Sequence, residues 1–399
     1  MKKEKKTNLF SLKKIDTYSF VEGLELATSF SVLIYLCNFL LPNTDIRISI
    51  VFVSIILIVP FVIKLLLYFF FRKMERIFFY FKNNYFLLLI PSYFLIIVIP
   101  ENYQFISITL IITSKVLLGF IFSAFNSILI VNFNKQSEFN NDSVFKYFCF
   151  FLLGIVLGSL IFSLTNAMLS NAELNQWGWK IPYFFILAYL CIIFLSSKEH
   201  QIQNLEEYNY FLSNLSLLKS SFKAQVQNIY IIIPLFYLIL YCSSNWLPKF
   251  SNPENMQFLS IDTVFFVLTF LSTLFIYPLL KLIGKLRATF FICCFLFVIS
   301  IIMSFFTADS NYSVDFLKFY MSIASGLTLC IFLLDFGLRS GGDRHNLFFA
   351  INLPNIIISI MVPLSFYYFI HSSISYNIIY IAFALIYLVC LLSRMNFKG

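Results

Sequence analysis

Twelve apolar runs, each closed by a short polar break, occupy most of this 399-residue chain. They fall at 18–41, 46–70, 85–100, 104–133, 146–168, 180–197, 226–248, 257–280, 288–306, 315–338, 346–371 and 376–395. The hydrocarbon core of a bilayer is about 30 Å thick, and a helix rising about 1.5 Å per residue needs about 20 residues to cross it. Backbone groups in lipid must be satisfied within their own segment, so runs of this length read as helices. The expectation is an all-α membrane protein with twelve transmembrane helices. Composition closes off the soluble alternative: 60% of the residues are hydrophobic and only 12% are charged, against about 25% charged in an ordinary soluble domain.

Several function classes drop out early. The net charge of +9 is scattered over short loops instead of gathered on one face, so no nucleic-acid partner is expected. The eight cysteines sit inside apolar runs without metal-ligand spacing to histidine. They read as small packing residues, and neither a metal nor a cofactor is expected. The sequence holds no Walker-type Gly-Lys-Ser/Thr loop, which disfavours an ATP-driven pump. An enzyme working on lipid-linked substrates calls for a large outer loop rich in acids and histidines. The outer loops here are short, and an enzyme is not expected.

The basic start MKKEKK leads into an apolar run that reaches Leu41 with no small-residue cleavage site. It reads as a first span and not as a removed signal. Cytoplasmic loops carry the excess of Lys and Arg. With the N-terminus inside, 22 basic residues fall on inner segments and 4 on outer edges, while Lys64 and Lys115 lie within spans. The expected location is a bacterial inner membrane, crossed many times, with both termini cytoplasmic. The polar stretch between the sixth and seventh runs divides the chain into a six-helix bundle at 1–197, an inter-bundle loop at 198–225 and a second six-helix bundle at 226–399. Two such halves are a recurrent transporter layout, with substrate held between them near the midplane.

One segment breaks the monotony. WGWKIPYF, Trp177 to Phe184, holds two of the three tryptophans in the chain. Its position at the mouth of the sixth run suits an aromatic anchor at the outer interface. Lys180 is expected to snorkel outward, and Pro182 fits a first helical turn, where its missing N–H costs nothing.

The order of these residues resembles the W-G-W-R-I-P-F segment that opens the sixth helix of the metabolite:proton symporter branch of the major facilitator superfamily. That branch includes carriers for proline and betaine, α-ketoglutarate and citrate. Fainter likenesses run along the chain. Glu25 stands where that branch has the Glu of E-W-Y-D-F, and Lys64 where it has the Arg of A-R-P-L-G. Lys115 with Gly119-Phe120 is similar to R-L-L-Q-G-F, with Asn126 as the nearest polar substitute for the acid that follows. Glu75-Arg76 and Gly284-Lys285 resemble the Asp-Arg-x-Gly-Arg-Arg loops, although Lys281 stands where an Asp belongs. Asp335, Arg344, Asn352 and Pro363 follow the order of E-L-F-P…R…Y-N…P.

The resemblance implies the major facilitator fold and a secondary transporter working by alternating access. It implies a substrate or proton site in the first bundle at Glu25, Lys64, Lys115 and Asn126, with Asn352 and Asn355 as polar candidates in the second. It also implies a cytoplasmic gate drawn from Glu75, Arg76, Gly284, Lys285, Asp335 and Arg344. Gly154 and Gly158, four apart, permit close helix packing.

An ionisable group within a span costs at least about 2.5–3.5 kcal/mol on insertion scales, so each needs a partner or a purpose. Glu25 lies about 10 Å from the inner start of the first run and Lys64 about 9 Å from the inner end of the second. Equal depth predicts that they pair. Lys115 sits far from either interface, where it either binds a carboxylate substrate or pairs with a carboxylate on another span. The functional expectation is a monomeric carrier of a small zwitterionic or carboxylate metabolite, with H+ coupling left open against facilitation or exchange. The lipid bilayer is its other partner. The alternative is a transport-inactive protein of the same fold, serving as a sensor or scaffold.

Overall fold

The computed structural model describes residues 4–45, 48–49, 51–57, 59–60, 62–64, 66, 86–100, 103–135, 141–196, 259–306, 319–330, 333 and 376–395. Every regular element among the described residues is helical. The elements are α1 (Glu4–Ser31), α2 (Leu33–Leu40), α3 (Val51–Lys64), α4 (Phe86–Ile97), α5 (Gln104–Lys135) and α6 (Asn141–Met168). They continue as α7 (Asn171–Gln176), α8 (Ile181–Ser196), α9 (Leu259–Ile283), α10 (Lys285–Phe306), α11 (Phe319–Cys330) and α12 (Tyr376–Met395). Five stretches among them are long and apolar enough to cross a membrane: Gln104–Ser123, Phe145–Met168, Gly178–Leu195, Thr263–Ile283 and Arg287–Phe305.

Most helices lie where the apolar runs place them. The first run does not hold as one piece. Its helix begins at Glu4, long before the run does, because hydropathy marks where a helix meets apolar surroundings and not where its hydrogen bonds start. A turn at Val32 separates α1 from α2, yet the ladder nearly survives it: Val32 N–H donates to the Thr28 carbonyl at 3.0 Å and Leu36 N–H to the Val32 carbonyl at 2.9 Å. The runs at 226–248 and 346–371 and the loop at 198–225 lie outside the described residues.

Large apolar side chains remain on the surface. Phe184, Phe185, Ile192 and Leu195 are exposed on α8, and Phe275, Leu279 and Leu282 on α9. A soluble protein rarely leaves such rows uncovered; an apolar solvent accounts for them.

The chain divides into two compact units, 1–137 with 153–221 and 138–152 with 222–399. In the first, α4 packs along α5 and α8, and α1 touches both α5 and α8. Glycines set the spacing. A Cβ built on Gly154 of α6 would collide with the Phe20 carbonyl of α1, and one on Gly158 would lie 3.0 Å from Ala27 Cβ. The backbones of α1 and α6 therefore meet directly. Gly119 does the same for α5 and α3, since a Cβ there would lie 2.7 Å from Ile63 Cβ and 2.9 Å from the Pro60 carbonyl.

In the second unit α10 packs along α12, and a seam of small polar residues joins α9 to α11. Thr269 Oγ1 donates to the Ser322 carbonyl at 3.1 Å and lies 2.9 Å from Ser325 Oγ. Gly284 links α9 to α10 with φ +98°, a left-handed conformation that glycine adopts without the Cβ penalty.

Candidate functional site

Glu22, Glu25 and Ser29 lie three and then four residues apart on α1, which stacks them along one face of the helix. Two lysines come to that face from other helices. Lys64, near the end of α3, donates to Glu22 Oε1 at 2.6 Å. Lys115 lies about 16 Å along α5 from Gln104, half-way through a bilayer-sized stretch. Its Nζ donates to Glu25 Oε1 and to Ser29 Oγ at 2.9 Å. All four charged residues are buried, none more than 5% exposed, and among the described residues they are the buried charges.

This pairing corrects one expectation. Lys64 takes Glu22 and not Glu25, and Glu25 goes to Lys115. Depths counted from the ends of hydropathy runs cannot resolve one helical turn, which is all that separates the two acids. Glu22 is the residue the sequence reading missed, and the spacing Glu22, Glu25, Ser29 was the signal available for it. For Lys115, of the two roles held open, the structure has the pairing with a carboxylate on another span.

Hydroxyls and rings complete the cluster. Ser29 Oγ donates to Glu25 Oε1 at 2.9 Å and lies 3.4 Å from the Tyr183 hydroxyl of α8. Lys115 Nζ sits 5.3 Å from the Tyr183 ring centre, a cation–π distance. Tyr18 donates from its hydroxyl to the Phe122 carbonyl at 3.1 Å, tying α1 to α5 beside the pairs. Tyr93 of α4 packs its ring against Tyr183 at 6.4 Å between centres. Its hydroxyl faces the Glu25 carboxyl, the acceptor nearest to hand for its proton.

The electrostatics are balanced. Two acids face two lysines, so the cluster is neutral as a whole, and each charge has a charged partner. Burial of such pairs is costly unless geometry and further hydrogen bonds compensate; for Glu25 and Lys115 the Ser29 hydroxyl supplies one such bond to each.

The segment at 177–184 divides its two indoles. Trp177 is 43% exposed, while Trp179 is fully buried, its ring 5.2 Å from Phe39 and 6.4 Å from Tyr183. Trp177 is the cap residue between α7 and a 3-10 turn at Gly178–Lys180, with φ −136°, and this break in the helix sends one indole outside and the other into the interior. Lys180 does not snorkel: its Nζ donates to the Ile99 carbonyl at 2.7 Å and lies over the Phe39 ring. Just before it, Ser170 and Glu173 form a capping box on α7. The Ser170 hydroxyl and N–H both donate to Glu173 Oε2 and hold its carboxyl below the usual carboxylate range.

The remaining sequence candidates contribute no geometry. Glu75, Arg76, Asp335, Arg344, Asn352 and Asn355 lie outside the described residues, as do the side chains of Asn126 and Lys285.

Solved structures share this fold. The D-xylose-proton symporter matches with a TM-score of 0.59 at 12% identity, over 97% of this chain and 96% of that one. The partially occluded, inward-open xylose transporter XylE from E. coli gives 0.57 at 11%, over 97% and 99%. An auto-inhibited POT family peptide transporter gives 0.57 at 11%, over 97% and 96%. At such low identity the likeness speaks for the fold, and the chain has the major facilitator fold. No protein-family model matches the sequence, and no curated protein does.

Proposed function

Starting from that fold, we propose that the protein is a secondary transporter that moves a small net-neutral metabolite across a membrane by alternating access. The observation that carries this reading is the pair of buried Glu–Lys contacts on one face of α1, in the middle of helices with apolar surroundings. Charges in such a place need a purpose beyond stability, because apolar residues of similar size would hold the helices at lower cost. The resemblance of WGWKIPYF to the metabolite:proton symporter branch supports the same reading.

Two details narrow it. Both buried lysines are already neutralised, so a plain carboxylate solute finds no spare cation. A net-neutral solute, zwitterions included, leaves the balance intact. Glu25, the acid that holds Lys115 and faces Tyr93, is the group assigned to exchange a proton with the transport cycle. Two six-helix bundles, both termini cytoplasmic, a monomer in the inner membrane and a gate at Glu75, Arg76, Gly284, Lys285, Asp335 and Arg344 complete the proposal.

The test is uptake into proteoliposomes over a panel of zwitterions, carboxylates and neutral solutes, with and without an inward proton gradient. The expected result is uptake of a net-neutral solute that the gradient accelerates, with the acceleration lost in Glu25→Gln. No uptake of any solute would overturn the transporter reading in favour of a sensor or scaffold.

A further inference from the structure

Ser29 is the residue through which the Glu25–Lys115 pair meets α8. A serine hydroxyl has one proton to give and two lone pairs to receive with. Its proton goes to Glu25 Oε1 at 2.9 Å. Lys115 Nζ, which can only donate, takes one lone pair at 2.9 Å. The Tyr183 hydroxyl lies 3.4 Å from the same oxygen. With the serine proton already committed, that contact is left a single polarity: Tyr183 donates and Ser29 accepts. Tyr183, Ser29 and Glu25 therefore form a row in which every hydroxyl aims its proton at one carboxylate. The Tyr183 step is its long member, against about 2.7–2.8 Å for an ordinary hydroxyl contact.

The row has a direction in the fold. Ser29 stands about 6 Å further along α1 than Glu25, toward α2, whose Asn38 bonds Asn175 of α7. It leads from the buried pair to the α7 end of the unit, the end expected from the sequence to face outward. Glu25 and Ser29 are each 5% exposed and Tyr183 1%, and the Tyr93 and Trp179 rings each stand 6.4 Å from the Tyr183 ring. The charged and titratable groups around Glu25 are Lys115 of α5, Tyr183 of α8, Tyr93 of α4 and, one turn along α1, Glu22 with Lys64 of α3.

Resting on the reading of Glu25 as the proton-exchanging acid, we infer that Tyr183 and Ser29 are the relay through which its proton arrives. A hydronium ion gives a proton to the Tyr183 oxygen, the Tyr183 proton passes to Ser29 Oγ, and the Ser29 proton passes to Glu25 Oε1. The hydronium leaves as water, both hydroxyls are restored, and the carboxylate has become a carboxyl group. A stepwise transfer would put a positive charge on Ser29 beside the Lys115 ammonium, so the three protons move together. Glu25 then no longer carries the charge that holds Lys115. Proton entry waits on the Tyr93 and Trp179 rings parting over Tyr183.

The experiment uses the full chain purified in detergent and follows the carboxyl C=O stretch by time-resolved infrared spectroscopy after a rapid fall in pH. Hydronium is the only probe, and Glu25→Gln identifies the band by losing it. Ser29→Ala and Tyr183→Phe are each expected to slow the appearance of the band at least about a hundredfold, the lower end of what a positioned proton-transfer group contributes. Ser29→Thr, which keeps the hydroxyl, is expected to keep the wild-type rate. A merely structural role would move the melting temperatures of the variants and leave that rate alone. Tyr183→Phe keeps the ring and its packing, so it carries the test even where Ser29→Ala unsettles the ion pair. A wild-type rate in either variant would overturn the relay and leave Glu25 as the proton acceptor. A slow Ser29→Thr would assign the effect to packing and overturn it as well. A wild type without any band that Glu25→Gln removes would sink the proton-exchange reading itself, and the relay with it.

Discussion

Lys115 on α5 and Glu25 on α1 close a buried ion pair between residues 90 positions apart in the chain. Removing one partner strands the other charge in an apolar interior, which typically costs about 3–5 kcal/mol, whereas removing both together is far milder. Lys115→Met is therefore expected to lower the melting temperature sharply, and Glu25→Gln combined with Lys115→Met to recover most of the loss. Fluorescence-detected size-exclusion after a heating series reads both.

The partner assignment has its own test. Contacting residues show coupling energies of about 0.5–3 kcal/mol in double-mutant cycles. Cycles on Glu22 with Lys64 and on Glu25 with Lys115 are expected in that range. A cycle on Glu25 with Lys64 is expected to be clearly smaller, and an equal or larger value there would contradict the observed register.

Gly154 and Gly158 are expected to differ in their tolerance of a methyl group. At Gly154 the new Cβ meets the Phe20 backbone, which cannot swing aside; at Gly158 it meets Ala27 Cβ at 3.0 Å. Overpacking of this kind costs about 1–3 kcal/mol. Gly154→Ala should fall at the upper end and Gly158→Ala at the lower, compared by thermal unfolding of the purified variants.

The capping box on α7 predicts a pH effect with a definite sign. The Ser170 hydroxyl and N–H hold the Glu173 carboxyl below its ordinary value. Its contribution to stability is thus fully present above the unfolded carboxylate pKa of about 4.3 and is lost as the pH falls through the lower, folded value. A melting-temperature difference between the wild type and Glu173→Gln at neutral pH should shrink on acidification below that range. A difference that grows instead would contradict the cap.

Much of the fold was legible because hydropathy is a local property. The run at 104–133 became Gln104–Lys135, and the run at 376–395 became Tyr376–Met395. What the sequence hid depends on how helices slide past one another. The choice of Glu22 over Glu25 for Lys64 turns on a shift of one turn between α1 and α3, a register that neither run's hydropathy reports. Lys180 was hidden for a similar reason: its acceptor is the Ile99 carbonyl, a group every residue carries and no motif announces. The Trp177–Trp179 split was hidden as well: both indoles read as interface anchors, and the burial of Trp179 depends on the Phe39 ring of α2.

Gly284 joins α9 to α10 as a single left-handed residue, with no heavy atom within 4 Å of where a side chain would begin. Glycine holds this φ without a Cβ penalty, so any other residue at the link must strain the backbone or re-aim one helix against the other.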